Sequence, residues 1–251
     1  MGDLLMLADI LTSSNPAPVI VLGMHRSGTS MLTGSLQLAG VHLGEVNNAA
    51  PFNKKGNKEH ADIRALNDEI LAANGASWRN PPARQARWGD KHRDEARAII
   101  ANFAMGPQPW GFKDPRTIWT IEGWLGLLQG ARLVGVFRAP ALVAESLAAR
   151  QGGLYVAIDN GFELWTAYNA MLLALFEQYG FPLIEFTDPL STLAQLPNIY
   201  GALRLAAPKA EFFSQELVNQ RRNEVEVPGV ARALYEQLRA ARADWCRQAG
   251  G

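Results

Sequence analysis

Val19-Ile20-Val21-Leu22-Gly23-Met24-His25-Arg26-Ser27-Gly28-Thr29-Ser30-Met31-Leu32 decides the fold. Four apolar residues run into a glycine, and a short polar loop follows. An apolar pattern at helical spacing then begins, with Met31, Leu32, Leu36 and Leu38. This order predicts a buried strand, a loop and a helix N-terminus. Such a junction gathers backbone N–H groups and the positive end of a helix dipole, which suits a phosphate group.

The spacing Gly23-x-x-x-x-Gly28-x-Ser30 matches the P-loop of nucleotide triphosphatases, except that Thr29 stands where that loop has its lysine. The strong cation of this loop is Arg26, two residues before the second glycine. Backbone amides still hold a phosphate here, but no lysine reaches β- and γ-phosphates. The loop is suited to a phosphorylated nucleotide other than ATP or GTP. His25, within it, is read as bonding backbone rather than as a ligand.

Composition narrows the class. A chain of 251 residues suits one large α/β domain, spanning 1–251. Hydrophobic residues make up 48% and charged residues 19%, which is globular rather than disordered. Lys plus Arg and Asp plus Glu are equal at 24 each, so charge gives no support to nucleic-acid binding. One cysteine, Cys246, excludes an internal disulfide and a cysteine-rich metal site, and four scattered histidines show no metal-ligand spacing. No apolar run is long enough to span a bilayer. The first residues, Met1-Gly2-Asp3, carry an acid where a signal peptide has a base. A cytoplasmic protein is expected.

Strands are expected at 19–22, 110–113, 133–137 and 183–186. Helices are expected at 29–39, 60–74, about 84–104, 116–128, 141–149, 156–179 and 228–248. Residues 40–58 read as a long loop of functional type, and the Pro81-Pro82 pair breaks the chain before the third helix. Strands alternating with helices predict a three-layer, P-loop-like α/β fold, with a central parallel sheet and helices on both faces.

Two further stretches carry chemistry. Phe137-Arg138-Ala139-Pro140 ends a buried strand with an arginine and starts a helix with a proline, and Ser146 lies two turns along that helix. Ligands of open α/β sheets gather at the carboxyl ends of strands, and the planar fork of arginine suits a phosphate. Trp110-Gly111-Phe112-Lys113-Asp114-Pro115-Arg116 places a lysine at another strand end, where it can neutralise charge on a leaving phosphate. Arg116 is read as pairing with Asp114. Trp165 and Tyr168, at helical spacing, are read as core.

Arg26-Ser27-Gly28-Thr29-Ser30 resembles the 5′-phosphosulfate loop of sulfotransferases, which use 3′-phosphoadenosine 5′-phosphosulfate (PAPS) as co-substrate. The Arg-x-Pro-x-x-x-x-x-Ser run from Arg138 to Ser146 resembles their 3′-phosphate site, and Lys113-Asp114-Pro115 resembles their strand-end lysine motif. The resemblance is to the bacterial or cytosolic type. It implies that Arg26, Ser27, Gly28, Thr29 and Ser30 hold the 5′-phosphosulfate. Arg138 and Ser146 would hold the 3′-phosphate, with Arg221 and Arg222 as candidates from a late basic loop. Lys113 and Arg26 would stabilise the sulfuryl oxygens and the departing phosphate, without a metal. Pro115 stands where the cytosolic branch has its catalytic histidine, and Met31 where that branch stacks a tryptophan on adenine. Lys58-Glu59-His60 resembles the Lys/Arg-Glu stretch of carbohydrate sulfotransferases, which makes Glu59 the leading base; His60, Glu45 and Asp114 are the alternatives.

The expected activity is transfer of a sulfuryl group from PAPS to an acceptor hydroxyl on a carbohydrate, glycopeptide or phenol, with loops 40–58 and 76–92 shaping the acceptor pocket. Two rivals stand beside it. A small-molecule P-loop kinase would need the loop lysine and a magnesium-binding acid. An inactive nucleotide-binding module would keep the fold without the chemistry.

Overall fold

In a computed structural model of the chain, residues 17–48, 56–150, 154–212 and 225–249 are described. Its centre is a parallel sheet of four strands: β1 (Val19–Leu22), β2 (Gly111–Lys113), β3 (Arg132–Arg138) and β4 (Leu183–Phe186), in spatial order β2-β1-β3-β4. Val19 pairs with Gly111 on one side and with Arg132 on the other; Gly135 pairs with Leu183. All residues of β1, β2 and β4 are buried. That is why β1 is apolar throughout rather than alternating: both faces of a parallel sheet are covered.

Nine helices are present among the described residues: α1 (Thr29–Leu38), α2 (Ala61–Ala73), α3 (Asp90–Ala104), α4 (Thr117–Leu127), α5 (Pro140–Ala148), α6 (Ile158–Tyr179), α7 (Pro189–Leu193), α8 (Leu196–Ala202) and α9 (Gly229–Ala249). The period of two along the strands sorts them into two layers. Ile20, Leu22, Phe112, Leu133, Phe137 and Leu183 pack with α2, α3, α4, α6 and α9. Val19, Val21, Val134, Val136, Ile184 and Phe186 face the other way, against α1 and α8. The architecture is thus a three-layer α/β fold of P-loop type, with helices on both faces.

The third helix starts later than its sequence pattern suggests, at Asp90 rather than near residue 84. The backbone of the intervening segment is committed elsewhere. Ala86 N donates to Trp119 O, and Arg87 N donates to Asn74 Oδ1. A helix over 84–89 would have to give up these partners. Helices α7 and α8 were not expected. Both are short with a proline near the start, and α7 is capped by Asp188, whose carboxylate accepts from Ser191 N.

A buried polar knot joins α2 to α4. Asn67 Nδ2 donates to Thr117 Oγ1 at 2.9 Å, and its Oδ1 accepts from Thr120 Oγ1 at 2.8 Å and from Trp124 Nε1 at 3.1 Å. This explains why the first turns of α4 are buried all round although they carry two threonines. Asn67→Leu fills similar volume but leaves these donors and acceptors unpaired in an apolar setting. Chemical denaturation is expected to show a loss of about 2–4 kcal/mol. A variant as stable as the parent would mean that the knot contributes nothing net.

Candidate functional site

The chain runs β1 to β2 on one side and then crosses to β3 on the other, so the point of reversal lies between β1 and β3, at their carboxyl ends. The loop after β1 sits there. Its backbone is left-handed at Arg26 (φ 67°) and positive at Gly23 (φ 153°) and Gly28 (φ 91°). The glycines are required by space as well as by angle. A Cβ on Gly23 would lie 2.4 Å from Val136 O, and one on Gly28 would lie 2.5 Å from Phe186 Cγ. The loop is therefore pressed flat against β3 and β4.

Helix α1 follows Gly28 with no side-chain cap, which leaves its first-turn amides to other partners. Ser27 is wholly buried, and its Oγ has no hydrogen-bond partner. Thr29 is buried at the helix start, where a P-loop lysine would otherwise point outward. Ser30 Oγ donates to Asn57 O at 3.0 Å, so it fastens the 56–60 segment to the loop.

One corner of the site gathers Arg26, Ser146 and Arg138. Arg26 Nε donates to Ser146 Oγ at 2.7 Å, and Arg138 Nη1 donates to Arg26 O at 3.3 Å. The Arg138 guanidinium lies 5.1 Å from the ring centre of Phe186, and its Nε is buried without a partner. Burial, and then the charge of Arg26, lower the Arg138 pKa to about 10 against the pull of Glu145. Arg138 is still charged at neutral pH. Two cations held this close, with the Arg138 Nε unpartnered, are an arrangement suited to an anion. Trp165 is core, as expected, and also props this corner by donating from Nε1 to Arg138 O.

A second corner contains Lys113 and Glu59, paired at 2.8 Å, with Lys113 2% and Glu59 13% exposed. Glu59 precedes α2, whose first-turn acid is Asp62, so the carboxylate serves Lys113 rather than the helix end. Lys58 has a left-handed backbone (φ 58°), and its Nζ turns to Asn48 Oδ1 and to the face of Phe212. Of the alternative bases, Glu45 is exposed, and His60 lies 5.1 Å from the Phe103 ring with its Nδ1 unpartnered. Asp114 is locked: its oxygens accept from Arg116 N at 2.8 Å and Arg116 Nη1 at 3.0 Å. Burial, with Glu59 adding to it, pushes Asp114 up to about 6 against the charges of Arg116 and Lys113. Arg116 also donates to Asp68.

Three residues that the sequence reading did not assign lie beside His25 of the loop. Trp78 packs at 4.8 Å from the His25 ring. Arg79 and Arg150 hold their guanidinium carbons 4.8 Å and 5.8 Å from the Trp78 ring centre. Trp78 falls within the 76–92 loop, and Arg150 lies one helical turn past Ser146. Composition of the loop and the i,i+4 spacing were the available signals. Tyr168 anchors Trp78 from the core, its hydroxyl donating to Trp78 O at 3.0 Å. His25 packs on aromatic rings, and its buried Nε2 finds no backbone partner.

Met31 is buried on the apolar face of α1. Arg221 and Arg222 lie outside the described residues. Among the described residues, no three His, Cys, Asp or Glu side chains gather as a metal site, and no helix is long and apolar enough to cross a membrane.

Burial, and then the charges of Arg116, Arg150, Lys113 and Arg26, hold His25 well below the ordinary histidine pKa of 6.5. The folded state therefore keeps His25 neutral where the unfolded chain takes up a proton. Its contribution to stability is present above pH 6.5 and is lost as pH falls below it, toward the depressed folded value. Asp114, with its raised pKa, works in the opposite direction at lower pH, so the comparison is made against His25→Gln. The stability of the parent minus that of His25→Gln should decline steadily below pH 6.5 in urea titrations. A difference that is flat with pH would show that His25 does not carry this linkage.

No family model and no curated protein matches the chain. Two solved structures share its fold. A sulfotransferase domain from the olefin synthase of Synechococcus PCC 7002 superposes with a TM-score of 0.52 at 16% identity, covering 91% of this chain and 96% of that one. A sulfotransferase from Mycobacterium tuberculosis superposes with a TM-score of 0.51 at 15% identity, covering 95% of this chain and 80% of that one.

Proposed function

We propose that the chain, as a single domain over 1–251, is a sulfotransferase that moves a sulfuryl group from PAPS to an acceptor hydroxyl. The observation that carries this reading is the pairing of two cationic corners around a loop without a lysine. Arg26, Ser146 and Arg138 form one, and Lys113 with Glu59 the other. The donor set fits a nucleotide bearing two separate anionic groups. The β1–α1 loop amides, Ser27 Oγ and Arg26 suit the 5′ end, and the orphaned Arg138 Nε with Ser146 suits a 3′-phosphate. Arg221 and Arg222 belong to the same proposal as further contacts.

Glu59 takes the proton of the acceptor hydroxyl. The acceptor oxygen then bonds to sulfur as the bond from sulfur to the phosphate oxygen breaks. The electron pair stays on that phosphate oxygen, where Lys113 and Arg26 neutralise it. The ion pair couples the two events. Once Glu59 is protonated it no longer holds Lys113 by charge, and the ammonium group is released to the leaving phosphate. Fixed cations serve here where a kinase uses Mg²⁺. A kinase reading is weakened further by Asp114, which is engaged by Arg116 rather than open to a metal. The acceptor class of carbohydrate, glycopeptide or phenol, and a cytoplasmic location, are part of the proposal.

Binding is checked by thermal melting. The product nucleotide 3′-phosphoadenosine 5′-phosphate should raise Tm by several degrees at saturating concentration, and ATP with Mg²⁺ far less, because a ligand stabilises the state it binds. Equal shifts, or a larger one from ATP, would favour the kinase.

Chemistry is checked by substitution. Glu59→Gln keeps the shape and loses the proton acceptor, so turnover with labelled PAPS should fall about 100- to 10,000-fold while the product nucleotide still binds. Parallel assays of Asp114→Asn and His60→Gln discriminate the alternatives. Near-normal turnover of Glu59→Gln beside a dead variant of either other residue would reassign the base. A parent that binds the nucleotide but transfers sulfuryl to no acceptor would be the inactive module.

A further inference from the structure

The two corners divide the cations unequally. Arg138 is influenced by Arg26 and Glu145. Arg150 instead shares its surroundings with Glu59, Arg79 and Arg116 as well as Arg26. With its guanidinium over the Trp78 ring, which packs on His25 of the Arg26 loop, it lies between that loop and the Glu59 corner. Its guanidinium lies along the Trp78 ring, beside Arg79 and across from His25, which is neutral. Among the described residues, the Arg150 side chain has this ring contact and no hydrogen-bond or carboxylate partner. Five N–H donors on a largely desolvated cation are costly to leave unmatched. Beside them lie Arg79, whose Nη2 donates to the Tyr155 carbonyl, and the half-buried Trp78.

We propose that the acceptor carries an anionic group, a carboxylate or a phosphate, and that Arg150 binds it alongside Trp78 while the acceptor hydroxyl faces Glu59. The inference rests on the sulfotransferase reading and goes beyond it by naming the charge of the substrate. The chemistry follows from the geometry. With the Trp78 ring as its contact among the described residues, the guanidinium keeps N–H donors for a carboxylate or phosphate, which accepts two of them at once. The surplus of positive charge on this side disfavours cationic acceptors.

The test uses four phenols that differ in charge: para-hydroxyphenylacetate, its methyl ester, para-hydroxybenzylphosphonate and tyramine. Transfer from PAPS, and binding to the complex with 3′-phosphoadenosine 5′-phosphate, are measured for each. An anion should be preferred to the neutral ester by roughly 10- to 100-fold in kcat/KM, with tyramine the poorest. The carboxylate-to-phosphonate ratio identifies which anion is meant. Arg150→Gln should bring the anion-to-ester ratio to within about threefold of one, and Arg150→Lys should keep part of it. Calorimetry with the product nucleotide should show its Kd little changed by Arg150→Gln. The proposal is overturned if the parent, while binding that nucleotide, shows no preference for an anion in turnover or in binding. It is equally overturned if Arg150→Gln keeps the ratio, or if that variant loses nucleotide affinity instead, which would put Arg150 on the donor side. Failure of the parent both to bind the nucleotide and to transfer sulfuryl would remove the sulfotransferase reading, and this inference with it.

Discussion

Positive charge held out of water at one rim of a parallel sheet is the constraint on which this structure turns. Arg26, Arg138, Arg150, Lys113 and Arg116 converge on the carboxyl ends of the strands, and burial is the largest cause disfavouring the charge of Arg26, Arg138 and Arg150. Such a cluster persists only if the surrounding fold over-determines it. Four devices do so. Ser146 receives Arg26, the ring of Phe186 lies under Arg138, the ring of Trp78 lies under Arg150, and two acids fix Arg116. The remaining free energy of repulsion favours any anion that enters.

The acids are distributed with equal purpose. Asp114 and Asp68 are both committed to Arg116, and Asn67 Nδ2 approaches Asp114 Oδ1 at 3.4 Å. This set faces the knot between α2 and α4 and braces the end of β2. Glu59 is different. Among the described residues its hydrogen-bond partner is Lys113, and it lies on a segment fastened to the β1–α1 loop through Ser30. In the proposed reaction this leaves Glu59 able to exchange a proton in a way that the doubly engaged Asp114 is not.

Much of the fold was legible in the chain. The run Val19–Leu22 is apolar throughout because a parallel sheet is covered on both faces, and the alternation with helices followed from periodicity. Pro140 marked the start of α5. What failed was local. The start of α3 moved to Asp90 because the backbone N–H groups of Ala86 and Arg87 donate to a carbonyl of α4 and to the Asn74 side chain, a competition that no local pattern encodes. Two short helices with early prolines carried too little periodicity to register.

The candidate site divides along the same line. Gly23, Gly28, Arg26, Lys113, Arg138 and Ser146 stood out in the sequence because a phosphate loop and strand-end cations impose fixed spacing along the chain. The pairings among them did not. That Arg26 reaches Ser146, 120 positions away, that Lys113 holds Glu59, and that His25 rests on Trp78 are decided where strand ends and loops meet in space. Trp78, Arg79, Arg150 and Phe186 have ordinary positions in the sequence. Their place beside the site comes from the crossing between β1 and β3, which draws distant segments to one rim. The sequence by itself determined the layered α/β architecture and the chemical types at the strand ends, because those follow from short-range periodicity and steric requirement. Only the tertiary structure decided which charges are neutralised by protein and which are left for a ligand, because that depends on distances set by packing.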